Sequence, residues 1–180
     1  MDYTFWTGIL GSLSLVAGAA WPEPKAKTVP VKSVKNWLFA AGGLVMFIYA
    51  LLGYLQGGAI FFVLLQILVV VSSILMMLNT DDRIDMAVLG LFGTGLIVWS
   101  MTMFQGFSTI IFILGLIGIG FGNAFQMGTL RRNLALTLGS VIIALFSYMQ
   151  SSWIFFWLNV FFAVFSGYYL VKGLTRGKKR

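Results

Sequence analysis

Residues 107–149 read FSTIIFILGLIGIGFGNAFQMGTLRRNLALTLGSVIIALFSYM, two long apolar runs joined by a connection whose only charges are Arg131 and Arg132. Each run is close to the ~20 residues that carry an α-helix across ~30 Å of hydrocarbon. Neither shows the alternation of a barrel strand, and in lipid a continuous apolar segment must satisfy its backbone N–H and C=O groups internally, as a helix does. The stretch predicts two membrane-spanning helices with a basic connection on one side of the bilayer.

The same reading extends in both directions. Apolar spans fall at 3–21, 35–54, 58–78, 84–104, 107–127, 133–149 and 152–171. All 12 Lys and Arg residues lie after spans one, three, five and seven: Lys25, Lys27, Lys32 and Lys35, then Arg83, then Arg131 and Arg132, then Lys172, Arg176, Lys178, Lys179 and Arg180. Cations are retained on the cytoplasmic side of a membrane. The predicted fold is therefore all-α: seven transmembrane helices, N-terminus outside and C-terminus cytoplasmic. Ala17-Gly18-Ala19 has the small residues of a signal-peptide cleavage site, but no positive n-region precedes it. Span one is accordingly expected to be retained.

Composition sets the function classes. Of 180 residues, 59% are apolar and 9% charged, with a mean hydropathy of +0.96, so the bilayer is the expected solvent. Cysteine and histidine are absent, which removes disulfides, thiolate chemistry, His-ligated metals and His proton relays. The acidic residues Asp2, Glu23, Asp81, Asp82 and Asp85 sit at or outside span ends, leaving no mid-membrane carboxylate to mark an ion pathway. No catalytic residue, cofactor or metal site is expected, and the chain is not read as an enzyme. The net charge of +7 is spread over short juxtamembrane segments. It suits anionic inner-leaflet lipids and not nucleic acid.

The chain also resembles itself. Residues 41–76 align with 135–170 at a shift of 94, with about a dozen identities, an internal repeat of the kind that fixes architecture. Tyr54-Leu55-Gln56 meets Tyr148-Met149-Gln150, and Ile60-Phe61-Phe62 meets Ile154-Phe155-Phe156. Spans two and three thus pair with six and seven. If spans one and five complete the units, residues 1–78 form a first three-helix repeat and 79–106 a linker containing span 84–104. Residues 107–171 form the second repeat and 172–180 a basic tail. An even number of spans between equivalents makes the repeats parallel.

This plan of three helices, one linker and three helices resembles the SWEET sugar transporters and the wider PQ-loop clan, whose halves are parallel repeats. Trp21-Pro22-Glu23-Pro24 stands where the clan has Pro-Gln, followed by Lys27-Thr28 and Lys32-Ser33, with Tyr49 and Tyr54 late in span two. Asn36-Trp37 at the start of span two is similar to bacterial nicotinamide riboside transporters. Compact inner-membrane proteins of the same clan are also of this length. The resemblance implies a carrier in a bacterial or archaeal cytoplasmic membrane, with the two repeats rocking around a central cavity.

Candidate binding residues follow from polarity inside the spans. Gln66 in span three and Asn159 in span seven are amides in apolar surroundings, each with a hydroxyl seven residues on, Ser73 and Ser166. An amide in hydrocarbon needs a partner, so each should face the protein interior or a wet cavity. The SWEET resemblance puts Asn159 near a substrate-facing asparagine and Gln66 near its counterpart. Trp157, Tyr148 and Tyr54 are candidate stacking surfaces. Trp6, Trp21, Trp37 and Trp153, near span ends, read as interface anchors. Gly118, Gly120 and Gly122, and Ser14 with Gly18, would let helices approach closely.

The expected function is facilitative transport of a small neutral solute, a sugar or polyol first, without obligate proton coupling. Nicotinamide riboside or another vitamin or nucleoside is the alternative solute. A structural or lipid-associated membrane protein without transport is the alternative of another class, and homo-oligomerisation is left open.

Overall fold

The computed structural model describes residues 3–21, 30–78, 80–125 and 128–177. Seven helices are long and apolar enough to cross a membrane: α1 Tyr3–Ala20, α2 Val34–Leu55, α3 Phe61–Leu78, α4 Asp82–Thr102, α5 Phe107–Ala124, α6 Leu130–Met149 and α7 Trp153–Gly177. This is the architecture of an integral membrane protein, and large apolar side chains such as Leu10, Leu91 and Val164 are accordingly turned outward, where hydrocarbon is their solvent. Contacts divide the helices into two compact units, residues 1–81 and 82–180. In the first, α2 packs against both α1 and α3. In the second, α4 packs on α5, α5 on α6 and α6 on α7. Asp2, Pro22 to Thr28 and Lys178 to Arg180 lie outside the described residues, so the Pro-Glu-Pro segment has no structural counterpart to report.

Local chemistry moves several helix ends from their predicted places. α6 starts at Leu130 and not 133, because the Thr129 hydroxyl accepts a hydrogen bond from the Arg132 amide and so caps the helix. α3 starts three residues later than span three, after a turn at Gly57, whose φ is +93°. α7 runs on to Gly177, six residues past 171. Lys172 lies over the Tyr168 ring, 5.3 Å from its centroid, and a cation near a helix C-terminus is favourable.

Tight crossings of small residues hold each unit together. In the first, a methyl group at Gly11 would come within 3.0 Å of the Met46 backbone nitrogen, one at Gly42 within 2.9 Å of that of Leu15, and one at Gly18 within 3.3 Å of Leu38 and Phe39. In the second, a methyl at Gly115 would overlap the Ile143 side chain, one at Gly139 would lie 2.6 Å from the Ile119 nitrogen, and one at Gly122 would meet Leu136 at 2.5 Å. Such close approach is how membrane helices gain van der Waals contact where lipid removes the hydrophobic drive. The contacts on α5 lie 104 residues after those on α1, as do both ends of the two helices. Those on α6 lie 97 after those on α2.

A cation closes each crossing. Lys35, in the first turn of α2, donates from Nζ to the Trp21 carbonyl at 3.4 Å, just past the end of α1. Arg132, in the first turn of α6, donates from Nη1 to the Phe125 carbonyl at 3.2 Å, just past the end of α5. Both place positive charge on a helix C-terminus, where unpaired carbonyls carry partial negative charge.

The turns that follow also correspond. After α2, the Gln56, Gly57 and Gly58 amides donate to the Leu52, Tyr54 and Gly53 carbonyls; after α6, the Gln150, Ser151 and Ser152 amides donate to Phe146, Tyr148 and Ser147. Every partner in the second set lies 94 positions after its counterpart. Gly57 and Ser151 occupy the same left-handed position, with φ of 93° and 54°, as expected of a helix C-terminal turn.

Candidate substrate-binding site

Gln66 stands five residues into α3, about 8 Å along the helix from Phe61. It is 1% exposed, and its Oε1 has no hydrogen-bond partner. The neighbouring helix residues Phe62, Val63, Leu64, Leu65 and Leu68 are buried too, so the amide sits in apolar surroundings. A buried acceptor left unpaired costs about 1–3 kcal/mol. Ser73, two turns further on, shares the buried state, but its hydroxyl donates to the Val69 carbonyl at 2.8 Å and to Phe39 of α2 at 3.5 Å. Gly43 of α2 faces this hydroxyl, and a methyl there would lie in ordinary van der Waals contact with Ser73 Oγ at 3.7 Å.

Asn159 occupies the corresponding depth in α7, six residues from Trp153, and is 6% exposed. Its Nδ2 donates to the Phe155 carbonyl of its own helix at 2.8 Å. Ser166, two turns on and buried, donates to the Phe162 carbonyl. The heptad spacing does place amide and hydroxyl in the buried part of each helix: Gln66 with Ser73, and Asn159 with Ser166.

The aromatic candidates lie elsewhere. Trp157 is 53% exposed and Tyr148 58% exposed. They belong to an outward ladder in which Phe156 joins Tyr148, Trp153 and Trp157 at centroid distances of 6.0, 5.9 and 5.2 Å. Phe161 extends it at 6.3 Å from Trp157. Asn159 is two residues from Trp157 and so about 200° around the helix; the ladder and the buried amide are on different sides of α7. Tyr54 is 43% exposed at the end of α2, and its backbone carbonyl, like that of Tyr148, accepts a hydrogen bond in the turn that follows.

Two features carried no weight in the sequence. Ser140 of α6 is fully buried, and its Oγ has no partner. A mid-helix serine ordinarily bonds a carbonyl four residues back, as Ser147 does to Ile143 at 2.7 Å, so sequence gives no reason to single one out. The second is a groove of about 300 Å³ between α4 and α5. Its signal was present as a stripe of Met86, Gly90, Gly93 and Ile97 spaced by four, three and four. Among the described residues, no three acidic side chains gather into a cation-holding cluster.

Among the described residues the chain thus has seven helices fit to span a membrane, an unsatisfied amide buried in α3 and a polar pair buried in α7. No family model, curated protein or solved structure matches it.

Proposed function

We propose that the protein is a facilitative carrier for a small neutral solute, sugar-like by preference, built as two parallel three-helix repeats with the N-terminus outside and the C-terminus cytoplasmic. The observation that carries this reading is the unpartnered Gln66 Oε1. A hydroxyl or carboxamide of a bound solute would donate to it, offsetting the cost of its burial only while solute is present. That is the economy a carrier needs: a polar group satisfied by cargo and exposed to no competing charge. The matched crossings, cationic clamps and turns support the repeat on which alternating access would act. The distribution of Lys and Arg supports the orientation.

Reconstitution into liposomes tests the proposal directly. Counterflow of labelled sugars, polyols, nucleosides and nicotinamide riboside should show saturable exchange for one class. It should be abolished by Gln66→Leu, which removes the acceptor at similar volume. An imposed pH gradient should drive no accumulation. Saturable exchange unaffected by Gln66→Leu would sink the assigned site, and accumulation driven by the proton gradient would sink facilitated transport.

A second reading has its own support. Asn159, Ser73 and Ser166 all spend donors on carbonyls of their own helices, as polar residues do when they only steady a helix. This favours a structural or lipid-associated role for α7. Under it, no solute exchanges and Gln66→Leu simply raises thermal stability.

A further inference from the structure

We propose that the groove between α4 and α5 holds one acyl chain of a phospholipid, with the phosphate at Arg132 and Arg83. The site is separate from the buried amides and lies wholly within residues 82–180. Its floor is made by glycines. A methyl at Gly90 or Gly93 would meet nothing within 4 Å among the described residues, the reverse of the glycines in the α5–α6 crossing, so within residues 82–180 these positions open a slot. Leu116 and Gly120 of α5 line the other wall. Thr94 is the polar side chain in the lining, and its hydroxyl donates to the Gly90 carbonyl at 2.8 Å. The groove offers hydrocarbon contact and no free hydrogen bond, which selects a chain of methylenes over a polar ligand.

Length and charge name the occupant. From Met86 to Ile97 the groove follows α4 for about 16 Å at 1.5 Å per residue, close to half of the ~30 Å hydrocarbon core. That is the depth of one leaflet. At one end Phe125 lines the groove, stacked on Phe121 at 6.1 Å, and the Arg132 guanidinium is bonded to the Phe125 carbonyl. Arg83 is exposed one turn before Met86 on α4. Each arginine is thus tied to a lining residue, Arg83 by one turn of α4 and Arg132 by its bond to Phe125. Asp81, Asp82 and Asp85 also stand at this end of α4; Asp85 is about 200° around the helix from Arg83, and the exposed Asp81 precedes the helix. Guanidinium matches phosphate geometry and tolerates the interface, and each basic residue near the headgroups strengthens attachment.

The test uses the full chain in nanodiscs containing a phosphatidylglycerol with a diazirine near the end of one acyl chain. Diacylglycerol bearing the same chain, without phosphate, is the control. After irradiation, peptide mapping should find adducts concentrated at residues 86–97 and 116–125. Phosphatidylglycerol should label there about fivefold more than diacylglycerol for each arginine engaged, and Arg83→Gln should remove one such factor. Gly90→Leu with Gly93→Leu, which has room in the structure, should remove groove labelling without lowering the melting temperature. Labelling spread evenly over outward-facing helices, or equal labelling by the two lipids, overturns the proposal. So does a chain-to-chain adduct through Gly93→Cys in the unirradiated protein, which would make a second copy the occupant. If the double leucine variant does not fold, the wild-type map alone decides.

Discussion

The α1–α2 and α5–α6 pairs are built alike, yet their sequences look unrelated. In both, a first helix of 18 residues presents Gly, an aliphatic and Gly at spacings of four and three: Gly11, Leu15 and Gly18, and Gly115, Ile119 and Gly122. In both, the second helix answers with a bulky side chain, glycine and another bulky side chain: Phe39, Gly42 and Met46, and Leu136, Gly139 and Ile143. A cation from the second helix then ties down the carbonyl just past the first. The pairs differ in how far the crossing lies from the following turn. Met46 is ten residues from Gln56, whereas Ile143 is seven from Gln150. The second crossing is nearly one helical turn, about 4.5 Å, closer to its turn. Helix pairs can slide by a turn and keep the same face in contact, so packing can be preserved while alignment is lost.

The sharpest way to break the likeness is to add one methyl group to each crossing. Gly139→Ala drives Cβ against the backbone of Gly118 and Ile119, which cannot rotate away, and should cost about 3 kcal/mol, the upper end of ordinary overpacking. Gly42→Ala meets the Leu15 nitrogen with slightly more room and should cost about 2 kcal/mol. Gly11→Ala should cost slightly less than Gly42→Ala: its methyl meets the Met46 backbone nitrogen at 3.0 Å against 2.9 Å for Leu15, and its other close neighbour is the Met46 side chain. Thermal melts in detergent should rank the three in that order. Equal losses would mean that the two crossings are not distinguished by backbone contact.

The turns offer a reciprocal exchange. Ser151 holds a left-handed φ where its counterpart is Gly57. Ser151→Gly should stabilise, and Gly57→Ser destabilise, each by about 1 kcal/mol. Two shifts of the same sign would refute their equivalence.

Lys35→Met and Arg132→Met should each cost about 1 kcal/mol, the worth of a charged donor at a helix C-terminus, and the loss should shrink with added salt. The smallest effect is expected in α4, away from any crossing. Gly93→Ala meets no other described residue within 4 Å and should stabilise by about 0.5 kcal/mol through helix propensity. A destabilised variant would place some group against this face.

Much of the site was legible, but unevenly. Gln66 and Asn159 stood out because an amide is costly in hydrocarbon, and both are buried. Their hydrogen bonds were not legible. Whether an amide bonds its own helix, as Asn159 does, or is left with an unpaired oxygen, as Gln66 is, depends on rotamer and neighbours that spacing does not specify. The aromatic candidates were named as stacking surfaces, and Trp157, Tyr148 and Tyr54 are instead exposed. The left-handed position of that turn is not itself an identity, Gly57 against Ser151, and a crossing asks only for small residues on one face. Gly18 and Gly122, one glycine from each Gly-aliphatic-Gly pattern, were readable as packing residues. Their common register was not, since it appears at shifts of 104 and 97 while the visible alignment runs at 94.

By itself, the sequence determined seven apolar helices and an asymmetric distribution of cations, because span length and burial of the peptide group in lipid leave no other solution. Tertiary structure alone decided which glycines are filled by a neighbour and which lie open, where the α4–α5 groove runs, and that one buried amide oxygen is left without a donor. Those outcomes depend on distances of an ångström or less between different helices, and no spacing within one helix carries that information.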